Sequence, residues 1–225
     1  MLMSPQENAA GAEDESPAAT AAERDWRRID LSAFRSSSRL GWKMRLSANL
    51  WRLVGQPLLR HSPSGIKGGR LFGALRVLLL RGFGARVGRG TTILPCEVTC
   101  PWNVEIGDHT WIGEGAWLYA LAPIVIGNNV CVSQRASLCT GSHDMSDPAF
   151  ALVTGEIRLK DGCWVCAGAL IGPGVTLHEG AVAGAASVVF RDLPAMTVWA
   201  GNPCTLLKQR RLREPSTRDC EETHG

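Results

Sequence analysis

Across most of the chain's second half an aliphatic or alanine side chain returns at every sixth position. No other feature restricts the possible folds as much. The count runs Leu159, Val165, Ile171, Leu177, Ala183 and Val189 without interruption. Upstream it runs Ile106, Ile112 and Leu118, shifts by two, and resumes at Ile126, Val132 and Leu138, with a weaker trace at Val87 and Ile93. Four residues after the anchors stand small or β-branched residues, among them Thr110, Ala116, Val130, Ala136, Cys163, Ala169, Val175, Ala181 and Ser187. Gly often follows an anchor directly, as at Gly107, Gly113, Gly127, Gly172 and Gly184. A period of six matches neither a helix nor an isolated amphipathic strand. It matches a short strand plus a turn, repeated, with the anchor pointing inward and Gly giving the corner its unusual backbone angles. Three such sides close a triangular coil of about 18 residues, and coils stack about 4.8 Å apart through backbone hydrogen bonds. The expected class is all-β, a parallel β-solenoid. Its stacked aliphatic column explains why Tyr and Phe together number only six in 225 residues.

Charge divides the chain into parts. Residues 1–25 carry six acids and one Arg, residues 26–90 carry 14 Lys or Arg against the single acid Asp30, and residues 91–225 carry nine bases and 14 acids. Four regions are therefore expected: a leader (1–29), a basic helical region (30–84), the β-helix (85–210) and a flexible tail (211–225). The leader is rich in Ala, Glu, Ser and Pro and cannot bury enough apolar surface to offset its ordering entropy, so disorder is expected there. It lacks the apolar core of a secretory signal. The longest apolar run, near Val77–Leu80, is interrupted by Arg76 and Arg81, so no spanning helix is expected. Eight cysteines without an export signal point to reduced thiols in the cytosol. Cys163 and Cys166 have the spacing of a metal or redox pair, but the repeat places both in slots for small residues, and no metal is expected.

Within the basic region, Trp42–Leu59 and Leu71–Leu80 have helical character. Leu46, Leu50, Leu53, Val54 and Leu58 share one face, with Arg45 and Arg52 flanking. Helices here are expected to cap the open end of the coil and hide unpaired strand edges. Contact with an anionic membrane face is the alternative. Nucleic acid is not an expected partner, because no recognition motif accompanies the charge and the body is acidic.

The motifs Tyr119-Ala-Leu-Ala-Pro, Leu138-Cys-Thr-Gly-Ser-His-Asp144, Asp161-Gly-Cys-Trp164 and Gly201-Asn-Pro-Cys204, set on the six-residue count, resemble the hexapeptide-repeat acyltransferases. The likeness is to their branch of colanic-acid-type sugar O-acetyltransferases of exopolysaccharide synthesis, and it covers the chain from about Asp30 to the end of the coil. It implies a left-handed coil, a homotrimer, acetyl-CoA as donor and a sugar acceptor, free, nucleotide-linked or lipid-linked. Gly201-Asn-Pro-Cys204 resembles the family's closing turn.

The count fails between Leu138 and Leu159, where Gly-Ser-His-Asp-Met-Ser-Asp-Pro and the residues after them are polar and turn-rich and are expected to leave the coil as a loop. A chain that breaks its own repeat once does so for function. Acetyl transfer to a hydroxyl needs a base, oxyanion donors and two substrates held together, and an imidazole suits the first task. The resemblance makes His143 that base, with direct transfer and no covalent enzyme intermediate. Asp144 either orients the imidazole or caps a turn. Ser142 either donates to substrate or shapes the turn. Trp164 is expected to face outward and, by resemblance, to line the acceptor or pantetheine groove, with stacking on the coil as the plainer reading. By resemblance too, Ala167 and Ala185 permit close approach of the pantetheine arm, and Arg191, Thr205 and Lys208 match positions near the phosphates and adenine. The chain departs from several relatives at Ala120, where they carry Asn. His109 and His178 are expected on solvent-facing coil corners.

Three other readings compete. An N-acetyltransferase on an amino sugar would use the same chemistry. A metal hydratase resembling γ-type carbonic anhydrases would need a third His about five residues after His143, where Pro148 stands. A non-catalytic scaffold would leave the His-bearing break without a purpose.

Overall fold

The computed structural model describes residues 29, 30, 32, 42–63 and 69–213. The expected leader, Ile29 apart, and the tail beyond residue 213 lie outside the described residues. Two compact units emerge. One joins His143–Ala151 to the described residues before Ser36, and the other holds the rest.

The larger unit is a parallel β-solenoid of three sheets, with five, seven and five strands. Each six-residue count supplies one side. Leu159 pairs with Leu177, Val165 with Ala183 and Ile171 with Val189, so one coil is eighteen residues. The shift of two after Leu118 lengthens a corner, and Leu118 pairs with Leu138 twenty residues on. Leu138 in turn pairs with Ile171, thirty-three residues on, so the chain inserts fifteen residues and resumes in register. The weak trace is real coil: Val87 pairs with Ile106 and Ile93 with Ile112.

Both periodic slots are interior. The anchors from Ile93 onward are buried, and so are Thr110, Ala116, Val130, Ala136, Cys163, Ala169, Val175, Ala181 and Ser187. Burying each Leu or Ile anchor contributes about 1.5–3 kcal/mol. The smaller slot takes what space remains beside it, which is why Cys163 is tolerated there as a small apolar residue.

The glycine expectation needs correcting. The left-handed corner lies three residues after the anchor, at Gly162 and Gly180 but also at His109, Asn129, Arg135 and Ala186 (φ +52° to +56°). The Gly directly after an anchor is required for a different reason, the close approach of the next coil. A Cβ on Gly113 would lie 2.5 Å from Gln134 N, and one on Gly107 would lie 2.6 Å from the Gly127 carbonyl carbon. Stacking distance, not backbone angle, selects Gly there. His109 occupies a corner and is exposed, whereas His178 directly follows the anchor Leu177 and is half-buried.

Helices α1 (Trp42–Leu50) and α2 (Gln56–His61), joined by one π-helical turn at Trp51–Gly55, precede α3 (Gly69–Gly82). They cap the first coil by supplying partners to its free edge, as buried backbone groups demand. Trp51 Nε1 donates to Val98 O (2.7 Å), and Gln56 clamps the same segment by donating to Cys96 O (3.3 Å) and accepting from Val98 N (2.9 Å). Arg76 Nη1 donates to Ile93 O (3.0 Å) and Arg81 Nη2 to Val87 O (2.5 Å). The stripe of Leu46, Leu50, Leu53, Val54 and Leu58 is not the capping face. All five are exposed, while Trp51, Gly55 and Leu59 turn inward. Capping a strand edge takes hydrogen-bond donors, so polar and indole groups do the work an apolar stripe cannot. At the other end, the final strand Thr205–Gln209 runs antiparallel to Thr197–Ala200 and closes the seven-stranded sheet.

Candidate active site

The chain leaves the coil after Thr140 and returns at Gly155, whose N–H donates to Thr140 O (2.9 Å). Thr140 is fully buried, its hydroxyl donating to Tyr119 O (2.7 Å) and accepting from Ala122 N (2.9 Å), so the exit point is fixed. The exit strand is Gly141–His143, with Ser142 exposed on it.

Inside the insertion unit, turns built by aspartates set the loop. Asp144 Oδ1 accepts from Ser146 N (2.8 Å) and Asp147 Oδ1 from Ala149 N (2.9 Å), both bonds of the kind that shape Asx turns. Asp144 N donates to Ala151 O (2.9 Å) and Phe150 N to Asp147 O (2.9 Å). Asp30 N donates to Pro148 O (3.0 Å), which ties Asp30 to the same unit.

His143 is exposed, and its Nδ1 lies 2.7 Å from the carbonyl oxygen of Phe150. A carbonyl can only accept, so Nδ1 carries the proton, and the neutral ring keeps its lone pair on Nε2. That is the tautomer a base needs at Nε2. Phe150 stands at φ +50°, a left-handed conformation that a bulky side chain adopts at a cost of about 1–3 kcal/mol. The strained backbone presents the Phe150 carbonyl as one orienting partner of the ring, while the Asp144 carboxylate shapes the turn through Ser146 N. No residue type advertises a backbone carbonyl, and an aromatic at positive φ runs against propensity, so Phe150 carries no sequence signal.

The remaining expected site residues lie on the coil unit. Trp164 is exposed and paired between Cys131 and Val182 on the seven-stranded sheet, and its Nε1 donates to Ser133 Oγ (2.9 Å). Ala167 and Ala185 occupy the same corner one coil apart, and Ala186 N donates to Ala167 O (2.9 Å). With their neighbours Gly168, Gly184 and Ala186 they form a strip of residues no larger than alanine. It continues toward Gly201, whose oxygen accepts from Val188 N (3.1 Å), and Thr205 pairs with the adjacent Ala200. Arg191 is exposed and close enough to favour the thiolate of Cys204, whose thiol is nevertheless held above its usual range, chiefly by burial. Lys208 is exposed opposite Val198. The structure thus gathers Ala167, Ala185, Arg191 and Thr205 toward one end of the coil. Arg210 is committed elsewhere, its Nη1 donating to Gly162 O and Gly180 O (both 2.8 Å). Ala120 is fully buried, and its carbonyl accepts from Asn103 Nδ2 (2.9 Å), so its methyl lies inside the coil.

Cys163 fills an interior slot and donates to His178 O (3.0 Å). Burial pushes its thiol up to about 11. Among the described residues no three His, Cys, Asp or Glu side chains are grouped to hold a metal ion.

The parallel β-solenoid is the fold of the hexapeptide-repeat acetyltransferases. The hexapeptide-repeat acetyltransferase VCA0836 of Vibrio cholerae O1 biovar eltor, solved with acetyl coenzyme A, is 25% identical, with a TM-score of 0.66 over 79% of this chain and 93% of that one. A galactoside acetyltransferase solved with coenzyme A shares the fold at a TM-score of 0.66 and 22% identity, covering 80% of this chain and 89% of its own. No family model matches the sequence. WcaF of Escherichia coli strain K12, named as a colanic acid biosynthesis acetyltransferase, is 36% identical over 182 residues, 80% of this chain and 97% of its own length. The chain belongs to the hexapeptide-repeat acetyltransferases, in the branch of colanic acid biosynthesis acetyltransferases, and it shares their left-handed parallel β-helix.

Proposed function

We propose that the protein transfers the acetyl group of acetyl-CoA to a sugar hydroxyl during cell-surface polysaccharide synthesis, with His143 as general base. The observation that carries this reading is the 2.7 Å contact of His143 Nδ1 with Phe150 O, which leaves the basic lone pair on Nε2. Nε2 takes the proton of the acceptor hydroxyl as its oxygen attacks the thioester carbonyl carbon. The C–S bond then breaks, and the imidazolium returns the proton to the departing thiolate. The products are an acetyl ester and free coenzyme A. No covalent bond to the enzyme is needed, and a positioned base of this kind contributes about 10²–10⁴-fold.

Donor binding falls to the coil. A strip lined by Ala167 and Ala185 lets a slender pantetheine arm approach backbone groups. Arg191 and Lys208 offer charge to phosphates, with Thr205 as a hydroxyl partner beside them. Trp164 presents an aromatic face suited to a sugar or to the arm, and Ser142 a hydroxyl on the exit strand. Support for the donor comes from the family solved with acetyl coenzyme A and coenzyme A. Support for a polysaccharide precursor comes from the 36% identity to a colanic acid biosynthesis acetyltransferase. The proposed assembly is a homotrimer acting in the cytoplasm at the inner membrane face. Asp144 keeps its place as the residue that shapes the turn behind the base.

The decisive test incubates the protein and acetyl-CoA with matched nucleotide-linked and lipid-linked sugars and their amino-sugar analogues, followed by mass spectrometry. A base-labile acetyl ester on a neutral sugar is expected. Transfer only to amines, or to none of the panel, would overturn the reading.

A further inference from the structure

Helix α3 carries a second apolar face besides the one it turns to the core. Among its described side chains Leu80 and the charged Arg76 are buried and Val77 and Leu79 pack half-buried on the core, whereas Leu71, Leu75 and Leu78, at spacings that share one face, point away from the coil. The guanidinium is engaged through four hydrogen bonds, donating to Ser62 Oγ (2.7 Å), Ile93 O (3.0 Å), Ser62 O (3.3 Å) and Pro63 O (2.5 Å). The segment from α1 to α2 repeats the arrangement, with Trp51 and Leu59 inward and Leu46, Leu50, Leu53 and Leu58 outward. These seven outward leucines are 48–78% exposed. A cap needs only its inner face to be apolar, so a second apolar face demands a second partner.

Between α2 and α3 lies a largely apolar cavity of about 460 Å³, lined by Leu58, Phe72, Leu75 and Leu79 together with Ser62 and Arg76. It is continuous with the outward stripe through Leu58 and Leu75 and is of a size that accepts a length of hydrocarbon chain.

Charge selects the occupant. Residues 42–82 contain eight Lys or Arg and no Asp or Glu. Arg60 is engaged by Glu97 (2.8 Å) and Arg81 by Val87 O (2.5 Å), while the exposed Arg45 and Arg52 border the α1 stripe. A second copy meeting this surface with its own would set two acid-free, basic faces against each other. A leucine face bordered by bases is complementary to a bilayer with anionic headgroups, in which apolar area and electrostatic attraction add.

We propose that the outward face of the helical cap docks on an anionic phospholipid bilayer, with the α2–α3 cavity receiving one lipid hydrocarbon chain. The cap then holds its coil at the surface where lipid-linked acceptors are presented. This deepens the proposed function by naming the surface that would place the enzyme there. Vesicle binding is read without acetyl transfer, so either proposal can fail alone.

The test is flotation of the full chain with phosphatidylglycerol–phosphatidylcholine vesicles and with pure phosphatidylcholine vesicles. Binding to the anionic vesicles is expected, at least tenfold weaker on the neutral ones and weakened by salt. Leu75→Glu with Leu78→Glu should lose tenfold or more while keeping wild-type circular dichroism and native mass, because both side chains already face outward. Arg45→Glu with Arg52→Glu should lose the anionic preference, by about fivefold or more for each base reversed. Failure of the wild type to float with anionic vesicles would overturn the proposal. So would leucine variants that bind undiminished, or a native mass that changes with them, since the face would then join copies of the chain.

Discussion

Arg76 is the sharpest place to test how the cap is held. Replacement by Met keeps the length and apolar stem but removes every donor. Four hydrogen bonds disappear, to the Ser62 hydroxyl and to the carbonyls of Ser62, Pro63 and Ile93. Ser62 is half-buried and Pro63 exposed, so water can replace the donor at those groups, and each bond there is worth about 0.5–1.5 kcal/mol net. The bond to Ile93 is buried, and an orphaned carbonyl there costs about 1–3 kcal/mol. Removing the desolvation cost of the guanidinium returns part of this. The balance is a loss of about 3 kcal/mol. Buried ion pairs are often replaced by apolar groups at no cost, but here the partners are fixed backbone oxygens that remain after the substitution. Urea unfolding followed by circular dichroism, with the slope unchanged, gives the number directly. A loss under about 0.5 kcal/mol, within the usual range for inconsequential surface changes, would show that Arg76 does not hold the cap to the coil.

Three further outcomes follow from the same structure. Burial pushes the thiols of Cys96 and Cys163 up to about 12 and about 11, so mass spectrometry after alkylation of the native protein at mildly alkaline pH should find both unmodified; labelling of either would contradict their interior slots. Asp161 accepts from Asn128 N (2.8 Å) and Nδ2 (3.2 Å), and these bonds hold its carboxyl below the usual range. A lowered carboxylate stabilises the fold above its unfolded pKa and loses that contribution as pH falls through the folded value. The stability gap between wild type and Asp161→Asn should therefore be present at neutral pH and close in acid, and a pH-independent gap in urea midpoints would be inconsistent with it. Arg191→Ala should raise the KM for acetyl-CoA severalfold with little change in kcat, and an unchanged KM would remove Arg191 from the phosphate site.

The fold was legible because its repeat is one-dimensional. Each anchor from Leu159 to Val189 predicts its own burial without reference to distant sequence, and the fifteen-residue break announces itself as a failed count. What stayed hidden depends on atoms that residue types do not encode. The role of Gly113 lies in the distance to the next coil, and a partner of His143 is a backbone oxygen on Phe150. The leucine stripe on α1 was visible, but its direction was not. Periodicity locates a face without saying what it meets, and here Trp51, Gln56, Arg76 and Arg81 claimed the coil edge instead. At the site, Ala167 and Ala185 were readable as a strip of small residues, whereas the diversion of Arg210 to Gly162 and Gly180 needed coordinates.

The role of His143 is tested most directly by the steady-state rate of acetyl transfer in His143→Ala, read beside native mass and coenzyme A affinity. Loss of about 10²–10⁴-fold in kcat, with assembly and donor binding retained, is the expected result. A variant that turns over like the wild type would show that the proton is taken elsewhere.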